Sequence, residues 1–129
     1  MSDKVKFEME FEVKSSTSVL YNMISTPSGL SEWFADDVNI KGDIFTFFWD
    51  GSSESARLIG KKKGLAIKFQ WVDDYEEGMK TYFEMAIRVD DLTNDVALII
   101  TDYAEEDEMD EAQLLWENQV SDLKKTIGS

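Results

Sequence analysis

Between Met109 and Ile127 the apolar residues Met109, Ala112, Trp116, Val120, Leu123 and Ile127 recur at steps of three or four, which places them along one helical face. Nearly everything from Val38 to Tyr103 alternates instead, with the period of extended strands. A lone amphipathic helix must bury its stripe against another layer, and the strand block is the one large partner in the chain. This order of parts predicts an α+β domain in which a curved antiparallel sheet wraps a long C-terminal helix.

The N-terminal third supplies the remaining parts. Phe7, Met9, Phe11 and Val13 alternate with Glu8, Glu10 and Glu12, as expected of a strand with one wet face. Ser15 and Ser16 offer N-caps to a short helix carrying Val19, Leu20, Met23 and Ile24 and ending near Ser25. Thr26 before Pro27 repeats the signal for a second short helix, followed by Leu30, Trp33 and Phe34. From Val38 onward, strands are expected near 38–41, 43–49, 54–61, 65–72, 79–90 and 95–103. Tight turns are expected at Lys41-Gly42-Asp43, at Asp50 to Ser53 and at Gly60 to Gly64, with a wider acidic turn from Asp73 to Gly78. Strands this close together pair as antiparallel neighbours, because parallel crossovers need about a dozen residues or more. With the opening strand, the sheet has seven. Asp110 is expected to cap the terminal helix with Gln113 in support, and Lys124, Lys125 and Gly128 mark its end.

The 129 residues fit a single domain, 1–129, with no linker or repeat. Cysteine and histidine are both absent, which removes disulfides, thiol catalysis and thiolate or imidazole metal sites. The 27 acidic against 13 basic side chains give a net charge of -14, so nucleic acid and anionic membrane surfaces are poor partners. A basic protein partner is the sharper reading of the acidity, solubility the plainer one. No apolar run approaches a membrane span, and Met1 to Lys6 lacks the pattern of a signal peptide. The expectation is a cytoplasmic monomer.

Individual residues sharpen the order of elements. Ser25-Thr26-Pro27 followed by Leu30-Ser31-Glu32-Trp33-Phe34 resembles the "tPe.l..W" segment of homologues of heat-shock chaperone ATPase activators, a group within the START-like (SRPBCC, helix-grip) superfamily. Ile67-Lys68-Phe69-Gln70-Trp71 resembles the "l.f.W" strand of that group, and Trp116 resembles the tryptophan of its terminal helix. The resemblance implies a helix-grip fold with an apolar cavity between sheet and helix, used across the superfamily for lipids, hormones, polyketides and other hydrophobic molecules. It does not imply one activity. Chaperone stimulation belongs to members with additional regions, and the polar catalytic groups of some superfamily enzymes have no counterpart in a chain without histidine.

The candidate ligand-binding residues are therefore the aromatic and flexible side chains Trp33, Phe47, Trp49, Phe69, Trp71, Phe83, Met85 and Trp116, since small-molecule sites are concave and mostly apolar. The same residues would equally serve as close-packed core. Carboxylates are the plentiful acid/base groups. Asp102 and Glu84 lie inside expected strands, where a buried carboxyl would titrate near neutrality, though alternation puts Glu84 on the wet face. Arg57 and Arg88 are expected in ion pairs or in solvent. Seven of residues 102 to 111 are acidic but lack the offsets and central glycine of a calcium loop, and Lys61 to Lys63 fall short of a nucleic-acid footprint. No metal or cofactor is expected. Three readings follow: a binding domain for a hydrophobic small molecule, lipid or apolar peptide; an interaction module that regulates a chaperone or other protein through its acidic surface; and a proton-transfer enzyme using Asp102.

Overall fold

The computed structural model describes residues 4–129; the first three residues of the Met1 to Lys6 stretch lie outside the described residues. Seven antiparallel strands form one curved sheet in the order β1-β7-β6-β5-β4-β3-β2. They are β1 (Lys4–Val13), β2 (Asp37–Lys41), β3 (Ile44–Trp49), β4 (Ser52–Lys62), β5 (Ala66–Trp71), β6 (Phe83–Val89) and β7 (Val96–Glu105). The register sets one apolar face across the sheet: Phe69 lies opposite Phe83, Ile67 opposite Met85, and Met85 opposite Ile100. A register shift between Leu58 and Gly60 interrupts the β4–β5 ladder, an irregularity that bends a strand.

Two helices bridge β1 and β2. Helix α1 (Thr17–Ser25) is capped by Ser16, whose Oγ accepts the Val19 N–H at 3.2 Å, and α2 (Pro27–Leu30) by Thr26, whose Oγ1 accepts the Gly29 N–H at 2.9 Å. Leu20, Met23 and Ile24 are the buried apolar face of α1, which rests on β5 and β6. Gly29 lets the two helices meet. A Cβ at Gly29 would sit 2.3 Å from the Asn22 carbonyl oxygen, so this approach admits glycine alone.

The closing helix α4 (Met109–Ile127) packs on β1 and β7. Trp116, Val120 and Leu123 are buried, with Met109, Ala112 and Ile127 packed partly against the same core, so the stripe read from periodicity is the stripe that is covered. The helix ends in Gly128 at φ 75°, in the left-handed region that glycine favours.

Two local expectations are corrected. The acidic run after β5 is not a plain turn: Val72–Glu76 forms a one-turn helix, α3, with Asp74 buried in it. Its carboxylate accepts the Thr81 hydroxyl at 2.6 Å and pairs with Lys4 at 3.2 Å, and these partners bring the polar sequence inward. At the start of α4, Asp110 is not the cap. A 3₁₀ turn at Glu106–Glu108 leads directly into the helix without a side-chain capping bond, and Asp110 and Glu111 occupy its first turn. Their charges complement the positive end of the helix dipole, so the acidic run acts through electrostatics and not through a cap.

Candidate functional site

The eight aromatic and methionine positions come from five elements and meet in one region. Phe47 and Trp49 stand on β3, Phe69 and Trp71 on β5, Phe83 and Met85 on β6, Trp116 on α4, and Trp33 in the turn after α2. Phe47, Phe69, Phe83 and Met85 are fully buried, while Trp49 and Trp71 are only partly so. Ring centroids lie 4.9 Å apart for Trp71 and Phe83, 5.2 Å for Phe69 and Phe83, and 6.2 Å for Phe83 and Trp116. Edge-to-face and offset arrangements at these separations are the attractive ones for aromatic rings. Trp33 meets the rest at its edge. Its indole N–H donates to the Met23 carbonyl at 2.9 Å, tying the exit of α2 to α1.

The centre of the cluster is Phe34, a residue that sequence reasoning left out of the candidate set. Its ring lies within 6 Å of five others: Phe47 at 5.0 Å, Trp33 at 5.6 Å, Trp116 at 5.7 Å, Trp49 at 5.8 Å and Phe83 at 5.9 Å. It enters from the loop between α2 and β2 and fills the space where sheet and α4 approach each other. Its backbone is held as firmly as its ring. The Phe34 carbonyl accepts both the Trp49 indole N–H and the Gln119 side-chain amide, each at 3.0 Å, so one oxygen joins the loop to β3 and to α4. The signal for Phe34 was its adjacency to Trp33 at the end of a helix whose apolar residues must face inward.

Outside this seam lies a groove of about 670 Å³, bounded by the Ser31 to Asp36 segment, Trp49 and the α4 residues Leu115, Gln119 and Asp122. Its volume falls in the range of small-molecule sites, roughly 300–1,000 Å³, but it is open to solvent and its lining is mostly polar, with Glu32, Asp36, Asn118, Asp122 and Lys125 among the wall residues. Phe34 and Trp49 belong to both the groove wall and the aromatic cluster, and so they separate interior from exterior.

Besides the buried Ser25, Asp74 and Thr101, two further side chains carry polar atoms into the interior. Asp102 projects from the inner face of β7, where Oδ2 accepts the Trp116 indole N–H at 2.8 Å and Oδ1 accepts the Tyr103 backbone N–H at 2.7 Å. Burial pushes its carboxyl up to about 6; the two hydrogen bonds and the Lys4 charge oppose that shift, and nearby Asp74 adds to it. The second is Tyr21 of α1, whose buried hydroxyl has no hydrogen-bond partner among the described residues. Glu84 faces away from the cluster, opposite Thr101 on the outer side of the sheet. Arg57 pairs with Asp43 at 3.7 Å and Arg88 pairs with Glu10, all of them exposed.

The acidic segment after β7 brings Glu105, Asp107 and Glu108 to within 4.8 Å of one another. All three carboxylates are partly or fully open to water, and the segment has no other ligand-like feature. Among the described residues no helix is long and apolar enough to cross a membrane.

A family model for the START-like superfamily domain matches residues 1–129. Among solved structures, a Bacteroides fragilis protein determined by solution NMR is 37% identical, with 98% of this chain and 92% of that one covered and a TM-score of 0.67. The Aha1 dimer from Colwellia psychrerythraea shares the fold at 18% identity, with 95% and 96% covered and a TM-score of 0.80. XoxI from Bacillus cereus shares it at 9% identity, with 95% and 94% covered and a TM-score of 0.77. No curated protein matches the chain significantly. With a helix wrapped by a seven-stranded sheet, the tryptophan-bearing segments in their expected places, and a family model spanning the full length, this chain belongs to the START-like superfamily.

Proposed function

We propose that this protein binds a hydrophobic small molecule or lipid between the sheet and α4, with Phe34 as the group that the ligand displaces. The observation that carries this reading is the position of Phe34: it occupies the junction of sheet and helix, and lies against a groove already open to solvent. Displacing it would expose a pocket walled by Phe47, Phe83 and Trp116, with Trp49 at the mouth. The ligand would recover the apolar contacts that the ring gives up, so the exchange costs little beyond breaking the two hydrogen bonds to the Phe34 carbonyl.

The test is an NMR titration of the protein with fatty acids and aromatic compounds, followed through the indole N–H signals of its four tryptophans. Ligand entry should shift Trp33, Trp49 and Trp116, whose rings all lie within 6 Å of Phe34, more than Trp71, which meets Phe47 and Phe83 instead. A library that moves none of these signals would sink the proposal.

A second reading has the net charge of -14 in its favour, together with carboxylates at Glu32, Asp36 and Asp122 along the groove. Under it the groove receives a basic segment of a partner protein, chaperone or otherwise. Salt-sensitive capture by the groove, unaffected by Phe34→Leu, would select this reading over the first.

A further inference from the structure

Strand β1 ends the sheet, and its ten residues form an uninterrupted ladder with β7 on one side. On the other side, among the described residues, the Val13 carbonyl accepts a turn bond from Ser15, and no other backbone hydrogen bond involves Lys4 to Val13. The strand has no proline and no bulge, two devices that keep an edge from pairing; it does carry a third, charged side chains, so what it can pair with depends on the order of those charges. Apolar side chains on its inner face are also incompletely covered, with Val5 42% exposed and Met9 and Phe11 only partly buried.

The charges on this strand are ordered. Lys4 and Lys6 occupy its first half, and Glu8, Glu10 and Glu12 its second. Lys4 and Glu10 have ion-pair partners within the chain, Asp74 and Arg88, whereas Lys6 and Glu8 form none among the described residues. Reversing a second copy of the strand about Phe7 sets Lys6 opposite Glu8, Lys4 opposite Glu10, Val5 opposite Met9, and Phe7 opposite itself. Both charged pairs in that arrangement join opposite charges, and Glu12 faces no charged residue. Centring the reversal on Glu8 would set Glu8 against Glu8, and centring it on Lys6 would set Lys6 against Lys6; like charges directly across a ladder repel.

We propose that β1 pairs edge to edge with β1 of a second copy, antiparallel and centred on Phe7, to make a two-fold dimer with one continuous sheet. The occupant is this same strand because its charge order is self-complementary in a single register. Each subunit carries a net charge of -14, so association in any unspecific arrangement is opposed, and the local pairing of Lys6 with Glu8 decides the register.

Sedimentation velocity on the full chain tests this. The wild type should show a concentration-dependent dimer; a monomer at every concentration up to the solubility limit overturns the proposal. Lys6→Glu and Glu8→Lys, both at exposed positions, should each weaken the dimer about tenfold or more, since each turns two attractions into repulsions. Mixing the two variants should restore it, because every new charge then faces its opposite. The double variant Lys6→Glu/Glu8→Lys should dimerise by itself for the same reason. Variants that associate as strongly as wild type, or a mixture that stays monomeric while both components give folded spectra, overturn the proposal. Pairing with a strand of some other protein in place of a second copy would give that outcome.

Discussion

Trp116 on α4 donates its indole N–H to the Asp102 carboxylate on β7 across 2.8 Å, a helix-to-sheet hydrogen bond that ends on a buried charge. The geometry favours the ionised form and the burial opposes it, and burial wins, leaving the carboxyl at about 6 against a usual 3.8. The interaction that joins the two layers is therefore one whose strength changes with pH.

A folded pKa above the unfolded value means that the native state holds the extra proton. Asp102 thus favours folding fully below the unfolded pKa near 3.8, and this contribution is lost as pH rises through about 6. Between pH 7 and pH 5 the group should recover about 1 kcal/mol of stability. Urea unfolding at the two pH values should show this gain in the wild type and its loss in Asp102→Asn. Identical pH dependence in both proteins would contradict the assignment.

Phe34→Ala removes a ring that is 4% exposed and touches five others. The expected cost is about 3–5 kcal/mol, the range for deleting a buried phenylalanine. The space left lies against the groove, so small aromatic compounds should bind the variant and recover part of that loss. Thermal unfolding with and without such a compound checks both statements.

Gly29→Ala should destabilise by about 3 kcal/mol, near the upper range for overpacking. The added methyl would meet the Asn22 carbonyl oxygen at 2.3 Å and the Met23 Cα at 2.7 Å, both backbone atoms that cannot rotate away. A loss of less than about 0.5 kcal/mol in chemical denaturation would mean that α1 and α2 part more easily than their packing implies.

Tyr21→Phe should stabilise the protein by about 1 kcal/mol, since it deletes a buried hydroxyl that has no partner among the described residues and keeps the ring. Chemical denaturation of the variant beside the wild type checks this.

The long-range plan of the fold was legible because it depends on periodicity, which survives in sequence. Steps of three and four from Met109 to Ile127 marked the stripe that α4 buries, and alternation marked the strands to within a few residues; the largest error was the start of β6, expected at 79 and found at Phe83. Helix α3 was hidden because Asp73, Asp74 and Glu76 look like a solvated turn, and only Lys4 and Thr81, distant in sequence from Asp74 or across a loop from it, make a buried aspartate acceptable. Asp102 stood out as a carboxylate among apolar neighbours, but its partner Trp116 is fourteen residues away on another element. Phe34 was obscured for a related reason. Its importance comes from β3, β6 and α4 converging on one loop residue, and the spacing within any one of those elements carries no trace of the meeting.

The two hydrogen bonds to the Phe34 carbonyl have a consequence for how the junction moves. Trp49 and Gln119 lie on different layers, yet both donate to the same oxygen. A shift of the loop large enough to free one donor also frees the other, and withdraws the ring from the aromatic cluster in the same step. Half-open states keep neither the full bonding nor the full packing, so they are disfavoured from both sides. Opening the seam between sheet and α4 at this point therefore means breaking both hydrogen bonds and the ring packing together, all at a single backbone group.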